Sequence, residues 1–305
     1  MSRRDSLIHG VLIVDKPKGM TSHDVVQRVR RLAHTARVGH AGTLDPMATG
    51  VLVVMLGEAT KLGPYLTAEN KRYEARVQLG CATDTLDAEG QVLEEAPLPE
   101  WWADARGEPI ERALELERAR TQQLPPVYSA IKIDGESAHA LARRGEAPEL
   151  KPRPVRVTSL LTSVSTSEGT VDLTLDVSKG YYVRSLARDL GERLGCPAHL
   201  SALRRQASGG FTLAHALTLS ELERDATQLT SRLLLVPDAA AVALPLGRLT
   251  DEGVVRARQG KRLEAADFTE LPSGSAAAAW LDATGALIAV GQEDEGTYKV
   301  LRGFF

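Results

Sequence analysis

The chain has 305 residues, 43% of them hydrophobic and 25% charged, with a formal net charge of -3 at pH 7. That is too apolar for disorder and long enough for two domains, or for one large domain with an appendage. Two cysteines without a CxxC, and no histidine pair at ligand spacing, argue against a disulfide framework and a structural zinc site.

Aromatic residues make up only 4% of the chain, so Leu, Val and Ala must fill most of the core. The apolar run Val11–Val14 is too short for the core of a signal peptide. No stretch approaches the ~20 apolar residues that cross a bilayer. The expectation is a cytoplasmic protein with both cysteines reduced. The net charge argues mildly against a nucleic-acid partner, but its distribution does not. Residues 1–80 carry 12 Lys/Arg against 7 Asp/Glu, and residues 121–210 carry 12 against 9. The intervening residues 81–120 carry 4 against 11, and residues 211–305 carry 9 against 13. A basic face on a near-neutral body can hold a phosphate backbone, and scattered solvated charges would read the same way.

The first predicted element is a strand over His9–Asp15, built on Val11, Leu12, Ile13 and Val14. Lys16-Pro17-Lys18-Gly19 ends it as a turn. Thr21 and Asp24 are spaced as a capping box for an amphipathic helix. Val25, Val26, Val29 and Leu32 form its apolar stripe, and Arg28, Arg30 and Arg31 its basic side. Arg37–Gly50 reads as a loop and Val51–Leu56 as an apolar strand. Lys71–Leu79 alternates, with Tyr73, Ala75, Val77 and Leu79 on one face. Glu111–Arg120 and Ala138–Arg144 read as helices, Arg153–Val157 and Val171–Val177 as strands. Gly180 leads into a helix with Val183, Leu186, Ala187, Leu190 and Leu194 inside, closed by Gly195, with Arg184 free to leave the core. After about residue 240, short apolar runs separated by Gly and Asp suggest a small β-rich appendage. The mixture lacks a regular βαβ alternation, so the expected class is α+β with a mixed, largely antiparallel sheet flanked by helices.

Gly39-His40-Ala41-Gly42-Thr43-Leu44-Asp45-Pro46-Met47-Ala48-Thr49-Gly50 is the most informative stretch. It sets one carboxylate in a tight loop before a buried strand. Its glycines permit unusual backbone angles, and Pro46 pushes Asp45 towards an extended conformation. Spacing alone leaves two uses for Asp45, a turn cap or an acid held for chemistry. Lys16, Lys18, Arg28, Arg30, Arg31, Arg37 and Lys132 are candidate phosphate contacts.

Val14–Ser22 and Gly39–Gly50 resemble the first signature blocks of the TruB family of tRNA pseudouridine-55 synthases. The resemblance continues through Lys71-Arg72-Tyr73, Thr83–Gly90, Pro125–Lys132, Ser178–Gly191 and Leu203-Arg204-Arg205, in family order over about residues 9–210. It implies a pseudouridine synthase fold over 1–240, with an RNA-gripping loop at about 121–150 and a PUA-like RNA-binding appendage over 241–305. It implies Asp45 as nucleophile, Arg184 as its ion-pair partner and Tyr73 as a ring stacked on the target base. His40 matches the histidine that fills the space left by flipped nucleotides, and Tyr182 joins the RNA-binding set. The implied reaction gains and loses no atom, so no cofactor and no metal are expected. The implied partner is the T stem-loop of tRNA, with no membrane and no protein partner required. Ala41 and Thr43 depart from commoner family wording, with little effect expected. A non-catalytic RNA chaperone and a guide-RNA-dependent relative are the competing readings. The first would gain nothing from an ionised Asp45 beside phosphates, and the acidic 81–120 segment fits the stand-alone type better.

Overall fold

The computed structural model describes residues 8–104, 107–129, 131–133, 135–146, 148–165, 169–274 and 276–304. The basic start of the chain lies outside them. Nine strands form the main sheet: β1 Gly10–Lys16, β2 Val38–Ala41, β3 Thr49–Leu56, β4 Lys71–Leu79, β5 Val157–Ser165, β6 Thr170–Val177, β7 Ala198–Ser208, β8 Phe211–Thr212 and β9 Leu217–Thr218. Their order is β5-β6-β4-β7-β3-β1-β9, with β2 on β3 and β8 on β7. The β7–β3 and β1–β9 pairs are parallel and the others antiparallel, so the sheet is mixed, as expected of an α+β fold.

Burial explains why β1 and β3 read as continuous apolar runs. Leu12, Val14, Leu52 and Val54 face α1 (Ser22–Leu32) through Val25, Val26 and Val29. Val11, Ile13, Val51 and Val53 face the opposite way, against Leu62, Leu66, Ala239 and Ala240. A strand covered on both faces needs no polar alternation. α1 starts on the expected capping box. Thr21 Oγ1 accepts from the Asp24 amide at 3.1 Å, and the Asp24 carboxylate accepts from the Thr21 amide at 2.9 Å.

β4 alternates because only one of its faces is covered. Tyr73, Ala75, Val77 and Leu79 pack with α2 (Glu108–Arg118) and α3 (Val183–Leu194). Arg72 and Arg76 stay outside and form forked pairs with Asp176 and Asp172 on β6. Each exposed pair contributes at most ~1 kcal/mol. α3 ends as predicted, with Gly195 left-handed at φ 66°.

Several elements differ from the sequence reading; the strand predicted over Arg153–Val157 is a strand only at Arg153–Pro154, and a separate one begins at Val157. Val38–Ala41 lies in the predicted loop yet pairs with Val53–Leu56, because tertiary pairing outweighs local turn chemistry. The hydroxyl-rich β5 and the eleven-residue β7 show no apolar run that marks them as strands. The chain beyond about 240 forms a second sheet of β10 Leu246–Leu249, β11 Phe268–Glu270, β12 Ala278–Leu281, β13 Leu287–Asp294 and β14 Thr297–Gly303, in order β11-β10-β12-β13-β14. Its core gathers Trp280, Phe268, Leu249 and Ile288.

The parallel contact between β3 and β7 is short, Thr49 opposite Arg204 and Gly50 opposite Arg205. Gly50 has φ 102°, and a Cβ there would lie 2.2 Å from the Arg205 carbonyl oxygen. Gly50→Ala should therefore destabilise the fold by at least ~2 kcal/mol, through strain and overpacking together. Urea unfolding checks this, and an unchanged midpoint would contradict the tight approach.

Candidate active site

The loop between β2 and β3 is pinned from three sides. Ser22, the first residue of α1, accepts from the Leu44 amide at 2.8 Å and donates to its carbonyl at 3.2 Å. Lys16 Nζ donates to the carbonyls of Pro17, Met20 and Pro46 at 3.0, 2.6 and 3.2 Å. The Gly19 amide donates to the same Pro46 carbonyl at 2.8 Å. From β7, Arg205 donates Nε to the Val51 carbonyl and Nη2 to the Gly42 carbonyl, at 2.7 and 2.9 Å. Gly42, at φ 86°, makes the bend that brings the loop against Arg205.

This held loop presents Asp45, and both its carboxylate oxygens engage Arg184. Arg184 Nη2 donates to Oδ1 at 3.0 Å, and Nε lies 2.8 Å from Oδ2. Arg184 does not leave the core as the helical pattern suggested. It is 5% exposed, and two backbone carbonyls accept from its terminal nitrogens. Nη1 donates to the Thr85 carbonyl at 2.9 Å and Nη2 also to the Tyr128 carbonyl at 2.8 Å. Asp87 Oδ2 stands 3.7 Å from Nε, while its Oδ1 accepts from Thr85 Oγ1 at 2.7 Å and from the Glu89 amide at 3.1 Å. Between them Leu86 sits at φ 64°, a strained setting for leucine, fixed by backbone bonds of residues 86 and 88 to Leu200.

Asp45, Arg184, Tyr73 and Tyr182 line one cavity of about 280 Å³, together with Leu203, Lys71, Lys179 and Arg205. Tyr73 is buried in the core cluster and lines this space. Gln123, itself buried, clamps the backbone of Tyr182, accepting from its amide at 2.8 Å and donating to its carbonyl at 3.0 Å. Burial pushes the Tyr182 hydroxyl above its ordinary range, opposed by its hydrogen bond with Ser129. A larger groove of about 630 Å³ runs along the exposed face of β6, β4 and β7, past Lys18, Arg76 and Arg204. It lacks Asp45 and Arg184, which both line the smaller cavity.

The predicted RNA contacts are placed unequally. Lys16 is fully buried with Nζ spent on three carbonyls, so it ties two loops together and offers no free ammonium to a phosphate. Lys18 and Lys132 are exposed. Arg37 is exposed and paired with Glu58 at 2.8 Å. Arg28 is half-buried and pairs with Glu223, and Arg30 donates to the Val38 carbonyl. His40 is half-buried on β2, and its Nδ1 is buried without a partner among the described residues. Burial, then Arg205 and His23, push its pKa down and favour the neutral ring. Sequence reasoning gave no role to Arg205, Lys71, Asp87 or Gln123. The available signal for the first two was their place in the Lys71-Arg72-Tyr73 and Leu203-Arg204-Arg205 blocks.

Two family sequence models match the chain, "TruB family pseudouridylate synthase (N terminal domain)" over residues 30–183 and "tRNA pseudouridylate synthase B C-terminal domain" over residues 184–240. The chain belongs to the TruB family. The tRNA pseudouridine synthase B of Opitutus terrae is 46% identical over 235 residues, covering 76% of this chain and 95% of that protein. The Thermobifida fusca protein of the same name is 47% identical over 264 residues, covering 83% and 86%. A crystal structure of a Cbf5-Nop10-Gar1 complex superposes with a TM-score of 0.75 over 97% of this chain and 85% of that one. At 24% identity, that likeness is one of fold. The boundary between the two TruB models falls immediately before Arg184, so the ion pair joins both matched regions.

Burial pushes the Lys16 ammonium down from 10.5 to about 8, against the pull of Asp45. Between those values the unfolded chain binds the proton that the folded chain has released. Folded stability therefore gains from Lys16 as pH rises through that window. The stability of the native protein minus that of Lys16→Met, measured by urea unfolding, should widen from about pH 8 to pH 10.5. A pH-independent difference would show that the buried ammonium is not suppressed.

Proposed function

We propose that this TruB-family protein isomerises the uridine at position 55 in the T arm of tRNA to pseudouridine. The observation that carries the reading is the Asp45–Arg184 pair, with both carboxylate oxygens engaged, in a cavity that Tyr73 also lines. The names of the Opitutus terrae and Thermobifida fusca relatives support the reaction and the tRNA substrate.

A uridine inside a folded arm must leave its stack to reach such a cavity, at a cost of a few kcal/mol. The cavity returns part of that cost, since base–aromatic stacking contributes ~1–3 kcal/mol. Tyr73 supplies the ring and Asp45 the nucleophilic carboxylate. The N1–C1′ bond breaks, the base turns, and a C5–C1′ bond forms. A proton leaves C5 and one is taken up at N1, so the atoms balance without a co-reactant. Arg184 holds the carboxylate in one orientation throughout. His40 at the loop, exposed Lys18 and Lys132, Arg37 and Tyr182 form the RNA-facing set, while Lys16 supports it from within.

The reading extends to organisation. Residues 1–240 serve as the catalytic unit, with a gripping loop at about 121–150, and 241–305 as a PUA-like RNA-binding appendage. The enzyme works in the cytoplasm on bare tRNA, without a protein partner. Among the described residues no helix is long and apolar enough to cross a membrane.

The test is to incubate the protein with an unmodified tRNA transcript and map pseudouridine by carbodiimide labelling and primer extension. A stop at uridine 55 is expected with the native protein and none with Asp45→Asn, while tRNA affinity stays within about threefold, since the neutral isostere keeps the cavity's shape. Loss of binding in Asp45→Asn, or a persisting stop, would overturn the nucleophile assignment.

A further inference from the structure

The catalytic cavity holds more positive charge than its single acid can use. Asp45 is matched by Arg184. Three further cations line the same space, Lys71, Lys179 and Arg205, and Asp45 is the one acidic residue among the described lining residues. Lys71 and Arg205 are buried, with 7% and 1% exposure. Neither forms an ion pair with a carboxylate among the described residues. Lys71 Nζ donates to the carbonyls of Thr67, at 2.7 Å, and Glu69. An ammonium has three protons, so one is left for another acceptor. Arg205 commits Nε and Nη2, but Nη1 reaches the Thr43 carbonyl only at 3.5 Å.

The two buried cations meet at Gly42. A Cβ there would lie 3.4 Å from Arg205 Nη1 and 3.7 Å from Lys71 Cε. Burial, then the charges of Arg205 and Lys179, push Lys71 down to about 8, opposed by Glu69. Burial pushes the Glu69 carboxyl up, which weakens it as a counter-ion. Two buried cations side by side are costly unless an anion completes the site.

Their position says which anion fits. Lys71 shares a face of β4 with Tyr73, two residues and ~7 Å away. Arg205 lies directly opposite Tyr73 on β7. The charges that act on Lys71 are Arg205, Glu69 and Lys179, whereas Lys16 feels Asp45 and, more weakly, Arg205. Lys71 and Arg205 thus flank Tyr73 in the sheet, while Asp45 enters the same cavity from the loop between β2 and β3. A nucleotide in RNA has matching asymmetry, with the base at one end, a phosphodiester at the other, and the ribose, which carries the reacting C1′, between them. Exposed Lys179 places the cations beside open solvent, where an RNA chain can leave.

We propose that Lys71, Lys179 and Arg205 form a subsite for a phosphodiester adjoining the flipped uridine. The inference rests on the reading of the substrate given above. Its use is specific to an isomerisation that cuts a base free. Once N1 has left C1′, the ribose is no longer tied to the base, and its flanking phosphodiesters are what the enzyme can still grip. A gripped phosphate keeps C1′ in place while the base turns.

The test uses T stem-loop RNAs with all phosphates intact, or with one neutral methylphosphonate on the 5′ or the 3′ side of the target uridine. Single-turnover pseudouridine formation is measured with native protein, Lys179→Ala and Lys71→Met. The Lys179 side chain is exposed and makes no hydrogen bond among the described residues, so its loss leaves the fold intact and decides the matter if Lys71→Met does not fold. On intact RNA, Lys179→Ala should lower kcat/KM about tenfold and make its logarithmic salt slope shallower by about 0.7. One of the two methylphosphonates should slow the native protein and abolish the further effect of Lys179→Ala. Independent, multiplicative losses at both positions, or an undiminished Lys179→Ala, would overturn the subsite. Native protein that makes no pseudouridine on intact RNA would instead overturn the functional reading, and the subsite with it.

Discussion

The site depends on sheltering one carboxylate–guanidinium pair where separate segments of chain meet. A buried ion pair is stable only if its geometry is good and its spare protons find acceptors. Arg184 is held by Asp45 from one loop, by the Thr85 carbonyl from a second, with Asp87 3.7 Å away, and by the Tyr128 carbonyl from a third. Removing any of them leaves a buried group unsatisfied, so fold and site hold each other in place. The helix that carries Arg184 is fixed from beneath by a second charged network. Glu117 on α2 accepts from the Tyr181 hydroxyl at 2.7 Å and from Arg193 at 2.9 Å. Arg120 bridges Glu117 and Asp189, at 2.6 and 2.7 Å. Helix position, and with it the aim of Arg184, follows from charges that never enter the cavity.

Around the pair, cations are solvated by backbone carbonyls instead of carboxylates. Lys16, Lys71 and Arg205 all follow this pattern. A carbonyl dipole satisfies N–H groups without cancelling the charge. Acids near the cavity would have stabilised these cations more cheaply, but would also have repelled an RNA backbone. The arrangement keeps Asp45 as the one acid in the cavity among the described residues.

Much of this was legible in the sequence. The two-faced burial of β1 and β3, the Thr21 capping box, the alternation of β4 and the Gly195 stop are local patterns with local causes. Asp45 stood out because glycines and a proline surrounded it, but spacing could not choose between a cap and a functional acid. What bears on that choice is the approach of Arg184, 139 positions away, which no local pattern reveals. Lys16 was misread for a related reason. A lysine beside a Pro-Gly turn has the composition of an exposed phosphate contact, and only the tertiary approach of Pro46 buries it. β7 was missed because its side chains serve two different surroundings. Leu200 and Leu203 face the core, while Arg204 and Arg205 go to opposite sides of the sheet, to Asp15 and to the Gly42 carbonyl.

β7 also shows how the sheet measures out the site. One row of its register runs Gly50, Arg205, Tyr73 and Leu175 across β3, β7, β4 and β6. A slip by one residue would send Tyr73 to the exposed face and bring Arg72 or Glu74 to the cavity. The register shifts in β7, between Leu200 and Ala202 and between Arg205 and Ala207, flank this row. Each inserts a residue without a partner, and so sets the phase of the strand on either side of Arg205. At the same row, glycine at position 50 lets β3 approach the Arg205 backbone closely enough for Nε to reach the Val51 carbonyl. The spacing of Lys71 and Arg205 from Tyr73 is therefore fixed by hydrogen-bonded backbone, and the flexible lysine and arginine side chains need only complete it.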